Sequence, residues 1–472
     1  MSAEQDIIDV AKYLRNVRPL DPDEITEYVS EPAHPGYIRQ TLREHAFELE
    51  IVERSDGTFI PIQNEPISVP FQGVSKFPEK WASIFEEYLT ETYGREWWHG
   101  TTGDNLRNHI DNLKVAYFGG ESVEYSIDVA NSYALYHLPD YYATIQYVID
   151  ELVTHGLITQ KLTIADIGAG VGGPMLGIHD YLPSETLVSY DAIEPSSAST
   201  ILERYTKETN SNFSVHIHTQ TAQQFQPNQT YDLLCFINVL SELTNPVEVV
   251  EKYLDHLKSD GTLIAIEPAD KQTAISLRSI ERRILEDKDE ITVFGPTLRL
   301  WPDSKPSDKG WSFTRKPSLE RPSFQEKLDT GVSQNNTIRP DAGDGTYVNT
   351  DVQYSYVLVR LDGVRKYDFE PDSSQVEKMA NSAKFVTERM NFVGIKLSPN
   401  IGSTNPVFKI SDGSETVDHY AVVVKKTALN ESLLFVEYGT ILQFENVLVL
   451  WNAEEQGYNL VVDAESSVEP VQ

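Results

Sequence analysis

The feature that most constrains this chain of 472 residues is a glycine-rich turn placed between a short apolar strand and a helix. The turn has the sequence Ala165-Asp166-Ile167-Gly168-Ala169-Gly170-Val171-Gly172-Gly173. Glycines let a ligand approach the backbone closely, and the first N–H groups of the following helix favour a negatively charged ligand group. A glycine pattern alone also suits dinucleotide folds, so its position between strand and helix is what makes it informative.

After this turn, short apolar strands alternate with helices, which predicts an α/β fold with a parallel sheet covered on both faces. The predicted strands are 162–167, 187–193, 215–218, 231–237 and 262–266. We therefore expect a Rossmann-like core within residues 156–365, carrying a Pro- and Ser-rich loop insertion over 301–350.

An acid at the end of the second predicted strand narrows the interpretation. Glu194 can accept hydrogen bonds from both hydroxyl groups of a ribose, the alternative being an acid that is merely exposed at a strand end. Asp166 is then expected near the amino-acid end of an adenosyl cofactor, with the backbone of Gly168, Gly170 and Gly172 beside it. This order of strands resembles the class I S-adenosylmethionine-dependent methyltransferases, and the resemblance implies S-adenosyl-L-methionine as cofactor.

The acceptor side of such a site is less defined. No Asn/Asp-Pro-Pro-aromatic motif follows the fourth predicted strand, and residues 219–223 offer glutamine where an acid commonly meets adenine. Cys235, the one cysteine, lies within that strand and is expected to point into the core, which makes it a poor nucleophile. Asn238 follows the strand directly and is the candidate catalytic residue, through positioning of the substrate.

Five segments together resemble the methyltransferase-like proteins associated with the mitochondrial small ribosomal subunit and their prokaryotic relatives. They are Ser132–Ala143, Ala165–Gly170, Val239–Leu243, Ile266–Pro268 and Tyr354–Arg360. The resemblance implies RNA or the small ribosomal subunit as partner. Those relatives commonly carry cysteines after the fifth strand that hold an iron–sulfur cluster. Residues 294–313 contain none, so we expect no iron–sulfur cluster and no metal.

Two modules are predicted before the core. Residues 1–62 have the order of three helices and a hairpin that is typical of a winged-helix-like module. Its third helix offers only Arg39 and Arg43 as cations, so a packing module is the alternative. Residues 63–155 form a mixed connector and a helical entry segment rich in tyrosine, which indicates either a packing face or a surface for base stacking.

A third module is predicted at residues 385–467, where short strands and turns indicate an OB-fold-like β-barrel. The predicted strands are 393–397, 407–410, 420–425, 433–436, 442–451 and 458–462. Such barrels hold single-stranded nucleic acid by stacking and by cations, or serve only as docking surfaces. The candidates for nucleic-acid contact are Phe408, Lys409, Tyr420, Lys425 and Lys426.

The net charge of −33 has two interpretations. It indicates either a protein that repels nucleic acid or a halophilic host, in which surface carboxylates keep every protein in solution and salt screens their field. Because the acids are spread along the chain, we favour the halophilic interpretation. Local charge then becomes the better guide, and residues 293–327 carry seven Lys or Arg against four Asp or Glu.

No run of 18 apolar residues and no N-terminal signal core occur, so we expect a cytoplasmic protein without a membrane partner. The function expected first is an S-adenosylmethionine-dependent methyltransferase acting on RNA, specifically small-subunit ribosomal RNA. A non-catalytic ribosome assembly or translation factor that retains the fold is the alternative. A small-molecule methyltransferase is the third hypothesis.

Overall fold

A computed structural model describes residues 3–119, 124–286, 288, 290–301 and 310–471 of the chain. Internal contacts divide the chain into two compact units: Met1–Cys235 with Pro317–Val352, and Phe236–Lys316 with Gln353–Gln472. Residues 302–309, which belong to the predicted loop insertion and to the basic stretch, lie outside the described residues. In the described ranges, no helix combines the length and apolarity that a membrane span requires.

The first unit begins with a small helical region that is closed by a hairpin. Its elements are α1 (Ala3–Leu14), α2 (Pro22–Ile25), α3 (Pro35–Glu44), α4 (Ala46–Leu49), β1 (Ile51–Glu53) and β2 (Phe59–Pro61). Asp21 caps α2 by accepting a hydrogen bond from the Asp23 N–H at 2.9 Å, which fixes the start of this short helix. Arg39 and Arg43 of α3 both approach the buried carboxylate of Glu53, at 3.6 and 2.6 Å.

Three helices lead to the α/β part of the first unit. They are α5 (Glu79–Tyr93), α6 (Gly100–Gly119) and α7 (Ile127–Thr154), followed by β3 (Lys161–Ile167), α8 (Gly173–Tyr181), β4 (Leu187–Ile193), α9 (Ser199–Thr206), β5 (Phe213–His218) and β6 (Tyr231–Ile237). β3 pairs with β4, and β4 with β5, in parallel register. The predicted strands 187–193 and 231–237 are confirmed at both ends.

The second unit begins within β6, whose last two residues belong to it. Its next elements are α10 (Pro246–Leu254), β7 (Leu257–Pro268), α11 (Lys271–Glu286), β8 (Thr292–Gly295) and β9 (Thr314–Lys316). The chain then returns to the first unit for α12 (Ser323–Thr330), inside the segment predicted as a loop, before β10 (Val352–Arg360). β10 pairs antiparallel with both β7 and β8, so the strand pairing of the α/β core is mixed rather than all parallel.

The second unit ends in a closed five-stranded barrel with one added strand. Its elements are β11 (Arg389–Lys396), β12 (Val407–Ser411), β13 (His419–Val423), α13 (Ser432–Phe435), β14 (Ile441–Asn452), β15 (Gly457–Val462) and β16 (Ser467–Pro470). The order β11-β12-β13-β15-β14 closes because β14 also pairs with β11, and β16 pairs with β14.

The predicted strand at 433–436 is wrong, because this stretch forms the single helical turn α13. Leu433 is fully buried, whereas Phe435 is 72% exposed. The buried ammonium group of Lys396 donates hydrogen bonds to the carbonyl oxygens of Leu433 and Val436, at 2.9 and 2.8 Å. A cation that satisfies the last carbonyls of a helical turn stabilises the turn over a strand.

Helix α7 contains Pro139 in its interior, although proline removes an N–H and breaks the bond to the carbonyl four residues earlier. The Gln325 side chain from α12 compensates. Its Nε2 donates to the carbonyl oxygens of Leu135 and Tyr136, at 2.9 and 3.1 Å. Gln325 is fully buried, so its amide has no water to bond with in place of these two carbonyl groups. The segment 323–330 therefore completes α7.

Helices α7 and α8 approach each other closely because α8 carries glycine on the facing side. A Cβ placed on Gly177 would lie 2.4 Å from both Ile145 Cγ2 and the carbonyl oxygen of Tyr142. The backbone oxygen cannot move without disturbing α7, so only glycine fits at this position.

We predict that Gly177→Ala lowers the free energy of unfolding of the first unit by about 1–3 kcal/mol, because overpacking outweighs the better helix propensity of alanine. Urea unfolding followed by tryptophan fluorescence measures it. Thr154→Ala, at the exposed end of α7, is the control and should stay within about 0.5 kcal/mol of wild type. Equal stability of the Gly177→Ala and wild-type proteins would contradict the close approach.

Candidate functional site

The glycine-rich turn between β3 and α8 adopts a backbone conformation that side chains resist. Gly168, Gly170 and Gly172 have φ values of 78°, 54° and 91°, all in the left-handed region. A Cβ on Gly172 would also lie only 2.8 Å from Leu202 Cδ1 of α9. The turn thus brings a run of bare backbone to the end of β3.

Glu194, at the end of β4, is bonded directly to this turn. Its Oε2 accepts a hydrogen bond from the Gly170 N–H and its Oε1 accepts one from the Ser196 N–H, both at 2.8 Å. Glu194 is 7% exposed. Each carboxylate oxygen keeps a second lone pair, so the side chain can also accept from a diol such as that of a ribose. The predicted partners Glu194 and Gly170 are therefore brought together.

Asp166 lies at the end of β3 and is fully buried. The Tyr190 hydroxyl donates to its Oδ2 at 2.6 Å, while Oδ1 has no hydrogen-bond partner among the described residues. Burial raises the pKa of the Asp166 carboxyl to about 7, and the nearby charge of Glu194 adds to the shift. An orphaned buried acceptor is costly, and a donor such as the amino group of a bound ligand would satisfy it.

These features fit an adenosyl cofactor that carries an amino-acid group. Bare loop backbone, a carboxylate with spare lone pairs and a buried acceptor all lie within the first unit, at Gly168–Gly172, Glu194 and Asp166. The two glutamines where an adenine contact was sought, Gln220 and Gln223, are exposed. Asn238 belongs to the second unit.

Asn238 directly follows β6 and has a left-handed backbone, with φ 55°. Its N–H donates to the carbonyl oxygen of Ile266 on β7 at 2.8 Å. Left-handed residues other than glycine are uncommon and cluster at functional sites. This conformation is consistent with a functional role for Asn238, which stays a prediction.

Glu267, on β7 of the second unit, is a buried acid that the sequence analysis did not single out as a candidate. It is buried, its Oε1 accepts from the Leu240 N–H at 2.9 Å, and its Oε2 has no partner within the described ranges. Burial raises the pKa of its carboxyl to about 7. The signal in the sequence was an acid directly after the apolar run 263–266.

Cys235 is buried in β6, as expected. Burial raises the pKa of its thiol well above the ordinary value. Since the thiolate is the nucleophile, this cysteine is inert toward covalent catalysis.

The residues exposed on the barrel differ from those predicted to contact nucleic acid. Phe408, Lys409 and Tyr420 are 2%, 2% and 9% exposed, so their prediction as stacking or phosphate contacts is wrong. Phe408 faces the core opposite Ala421, and Lys409 forms an ion pair with Asp418. The exposed candidates are Lys425 and Lys426, together with two aromatic residues that were not singled out, Phe435 and Trp451.

The family models that match this chain support a methyltransferase domain in the α/β core. Residues 165–263 match the family model described as a methyltransferase domain. Residues 4–55 and 380–471 match the N-terminal and C-terminal domains of a domain of unknown function, DUF8157. None of the curated proteins matches the chain.

Solved structures with some likeness include three methyltransferases. The plantazolicin methyltransferase BpumL in complex with SAH has a TM-score of 0.30 and 12% identity, over 60% of this chain and 95% of that one. An S-adenosylmethionine-dependent methyltransferase from Clostridium acetobutylicum has a TM-score of 0.23 and 15% identity, over 32% of this chain and 58% of that one. A methyltransferase of the same kind from Aquifex aeolicus has a TM-score of 0.26 and 19% identity, over 32% of this chain and 80% of that one.

The domain match and the strand order identify a Rossmann-like methyltransferase core, and S-adenosyl-L-methionine is confirmed as the cofactor of this class. Neither the family models nor the structures named above concern the mitochondrial ribosome-associated family, so that resemblance stays a prediction.

We predict that Glu194→Gln weakens binding of S-adenosylmethionine about 10- to 100-fold, because one acceptor oxygen is replaced by a donor. Isothermal calorimetry in high salt measures the dissociation constant. Glu203→Gln, an exposed glutamate on α9, is the matched control and should bind as wild type does. Binding of Glu194→Gln within a factor of two of wild type would remove Glu194 from the site.

A second prediction concerns pH. The pKa of the Asp166 carboxyl is raised from 3.8 to about 7, so its contribution to stability is present at low pH and lost as pH rises through that window. Asp166→Asn keeps an acceptor for Tyr190 but cannot ionise. Between pH 5 and 8, wild type should therefore lose up to about 3 kcal/mol of stability relative to the variant, measured by urea unfolding. Parallel pH profiles of the two proteins would show that Asp166 does not titrate there.

Proposed function

We propose that the chain is an S-adenosylmethionine-dependent methyltransferase that methylates RNA, with the RNA of the small ribosomal subunit as acceptor. The observation that carries the proposal is the hydrogen bond from the Gly170 N–H to Glu194, which fixes an acidic side chain against the glycine turn of a methyltransferase domain. S-adenosylmethionine supplies a methyl group that is reactive toward nucleophiles. The turn and Glu194 would hold its adenosyl part, and Asp166 would face its amino group.

RNA as acceptor is supported first by a group of rings on α7, which we call the tyrosine–histidine cluster: Tyr133, Tyr136, His137 and Tyr141. All four side chains are partly exposed. The Tyr133 hydroxyl donates to that of Tyr141 at 3.0 Å, and the His137 and Tyr141 rings are stacked with centroids 5.1 Å apart. These contacts fix the orientation of the rings, and their exposed parts can stack against a flat ligand such as an unstacked base.

The barrel gives independent support within the second unit. Phe435 is 72% exposed and Trp451 is 42% exposed. The Lys426 ammonium group lies 4.9 Å from the centre of the Phe435 ring. An exposed ring with a cation beside it is the combination that OB-fold barrels use for single-stranded nucleic acid.

A non-catalytic ribosome assembly or translation factor is the second candidate. The observation that favours it is the complete burial of Asp166, whose Oδ2 already accepts from Tyr190, so that only Oδ1 is left for a cofactor's amino group. Such a protein would keep the fold for its surfaces alone.

A methyl-transfer assay on extracted RNA distinguishes the enzyme from the assembly factor. We predict that wild type transfers labelled methyl groups from S-adenosylmethionine to ribosomal RNA extracted from cells lacking this chain, and that Glu194→Gln transfers about 10-fold less at limiting cofactor. Glu203→Gln is again the control. Crosslinking to ribosomal RNA without any transfer would replace the enzyme by the assembly factor. Label that appears only when the small-molecule fraction of the same cells is supplied as acceptor would replace RNA by a small molecule.

The same assay tests the barrel. A double change, Phe435→Ala with Trp451→Ala, should raise the KM for RNA at least about 30-fold while leaving cofactor binding unchanged, because each of two stacked bases contributes about 1–3 kcal/mol. Val424→Ala, an exposed apolar residue of the same barrel, serves as control. An unchanged KM for RNA would exclude these two rings from the contact.

A further inference from the structure

His137 is the centre of the tyrosine–histidine cluster. Its ring is stacked on Tyr141 with an angle of 17° between planes, and the ring centres of Tyr133 and Tyr136 each lie 5.0 Å away. The His137 side chain is nevertheless 29% exposed. Three rings thus fix the imidazole plane while one edge stays open.

Asp140, one turn further along α7, sets which ring nitrogen is available. Its Oδ2 lies 3.3 Å from His137 Nδ1 and accepts from Asn349 Nδ2 at 3.0 Å, and the same Nδ2 lies 3.5 Å from His137 Nδ1. Because the Asn349 amide is closer to the carboxylate than to the imidazole, Asp140 holds the proton on Nδ1 and leaves a lone pair on Nε2. Of the residues that the structure describes, none forms a hydrogen bond with His137 Nε2.

The group that orients His137 is itself supported by buried bonds. The Asn349 N–H donates to Gln325 Oε1 at 3.0 Å, and Gln325 Nε2 donates to the Leu135 carbonyl that Pro139 leaves without its helical donor. Burial raises the pKa of the Asp140 carboxyl, and the neighbouring His137 opposes the rise. A carboxylate in such surroundings is stabilised when the imidazole beside it gains a proton.

This part of α7 also lies against the cofactor turn. A Cβ on Gly173, the last residue of the glycine run, would lie 3.1 Å from Tyr141 Cβ and 3.2 Å from the carbonyl oxygen of Leu138. The helical turn that carries His137 is therefore packed on the first turn of α8, within the same unit.

We propose that His137 Nε2 is the proton acceptor for the methylated group, with Asp140 as its positioning residue. The inference rests on the methyl transfer proposed above. The acceptor is a hydroxyl or N–H group attached to a flat ring or to its sugar, because Cys235 is too deeply buried to serve the thiol route used for ring carbons.

The step balances without a further reactant. The acceptor's O–H or N–H bond breaks and its proton passes to Nε2. The acceptor atom forms a bond to the methyl carbon, whose bond to the sulfonium sulfur breaks with the electron pair remaining on sulfur. The imidazolium, stabilised by Asp140, then releases the proton to water.

The test uses the full chain and the methyl-labelled cofactor, with RNA, protein and small-molecule fractions of cells lacking the chain as acceptors. His137→Asn keeps a donor toward Asp140 and removes Nε2. We expect kcat to fall about 100- to 10,000-fold while the dissociation constant for S-adenosylmethionine changes less than threefold. His155→Asn, an exposed histidine at the end of α7, is the matched control and should keep full activity.

Chemical rescue separates a proton acceptor from a structural residue. Imidazole added to His137→Ala should restore activity at least 10-fold, and it should not affect the control. Activity of His137→Asn within threefold of wild type would overturn the inference and leave the proposed function standing. Loss of cofactor binding by both His137 variants would show a structural role instead. A wild-type protein that labels none of the fractions would overturn the proposed function, and this inference with it.

Discussion

A proline in the middle of a 28-residue helix is the constraint on which the first unit depends. Pro139 leaves the carbonyl of Leu135 without its usual helical donor, and a buried carbonyl without a partner costs about 1–3 kcal/mol. Gln325, from a distant part of the chain, donates to this carbonyl and to that of Tyr136. The same side chain also holds Asn349, which fixes Asp140. The Gln325 amide therefore both completes the hydrogen bonding of α7 and, through Asn349, helps to position the tyrosine–histidine cluster.

The α/β core was predictable because its signals are local. Each buried strand is a short apolar run, and β4 and β6 match their predicted limits. The antiparallel β10 and the helix α12 were not predictable in the same way. The segment around α12 is polar and rich in turn residues, and it becomes ordered only through bonds to α7 that are long-range in sequence. In the barrel, Leu433 to Val436 has an apolar composition that suits a strand equally well, and a lysine on β11 decides for a helical turn.

In the candidate site too, residues marked by local patterns were predictable, and residues that depend on distant contacts were not. Asp166, Glu194 and the glycines follow strand ends at fixed spacing, so the sequence alone places them together. Glu267 and His137 depend on burial and on neighbours from other elements, which no local pattern reports. Phe408 and Tyr420 show the converse error. Consecutive residues of β12 and β13 are buried, so both faces of these strands are covered, which no local pattern reports. The exposed ring of Phe435 lies on the turn that was mistaken for a strand.

The return of the chain at residue 317 has a consequence for biosynthesis. The bond between Asn349 and Asp140 joins residues 209 positions apart. At about 5–20 residues per second, a ribosome needs roughly 10–40 s to make that interval. During this delay the nascent chain carries α7 without the two hydrogen bonds from Gln325. The N-terminal part of this protein is made first, but it cannot finish folding until most of the second unit's α/β segment has been translated.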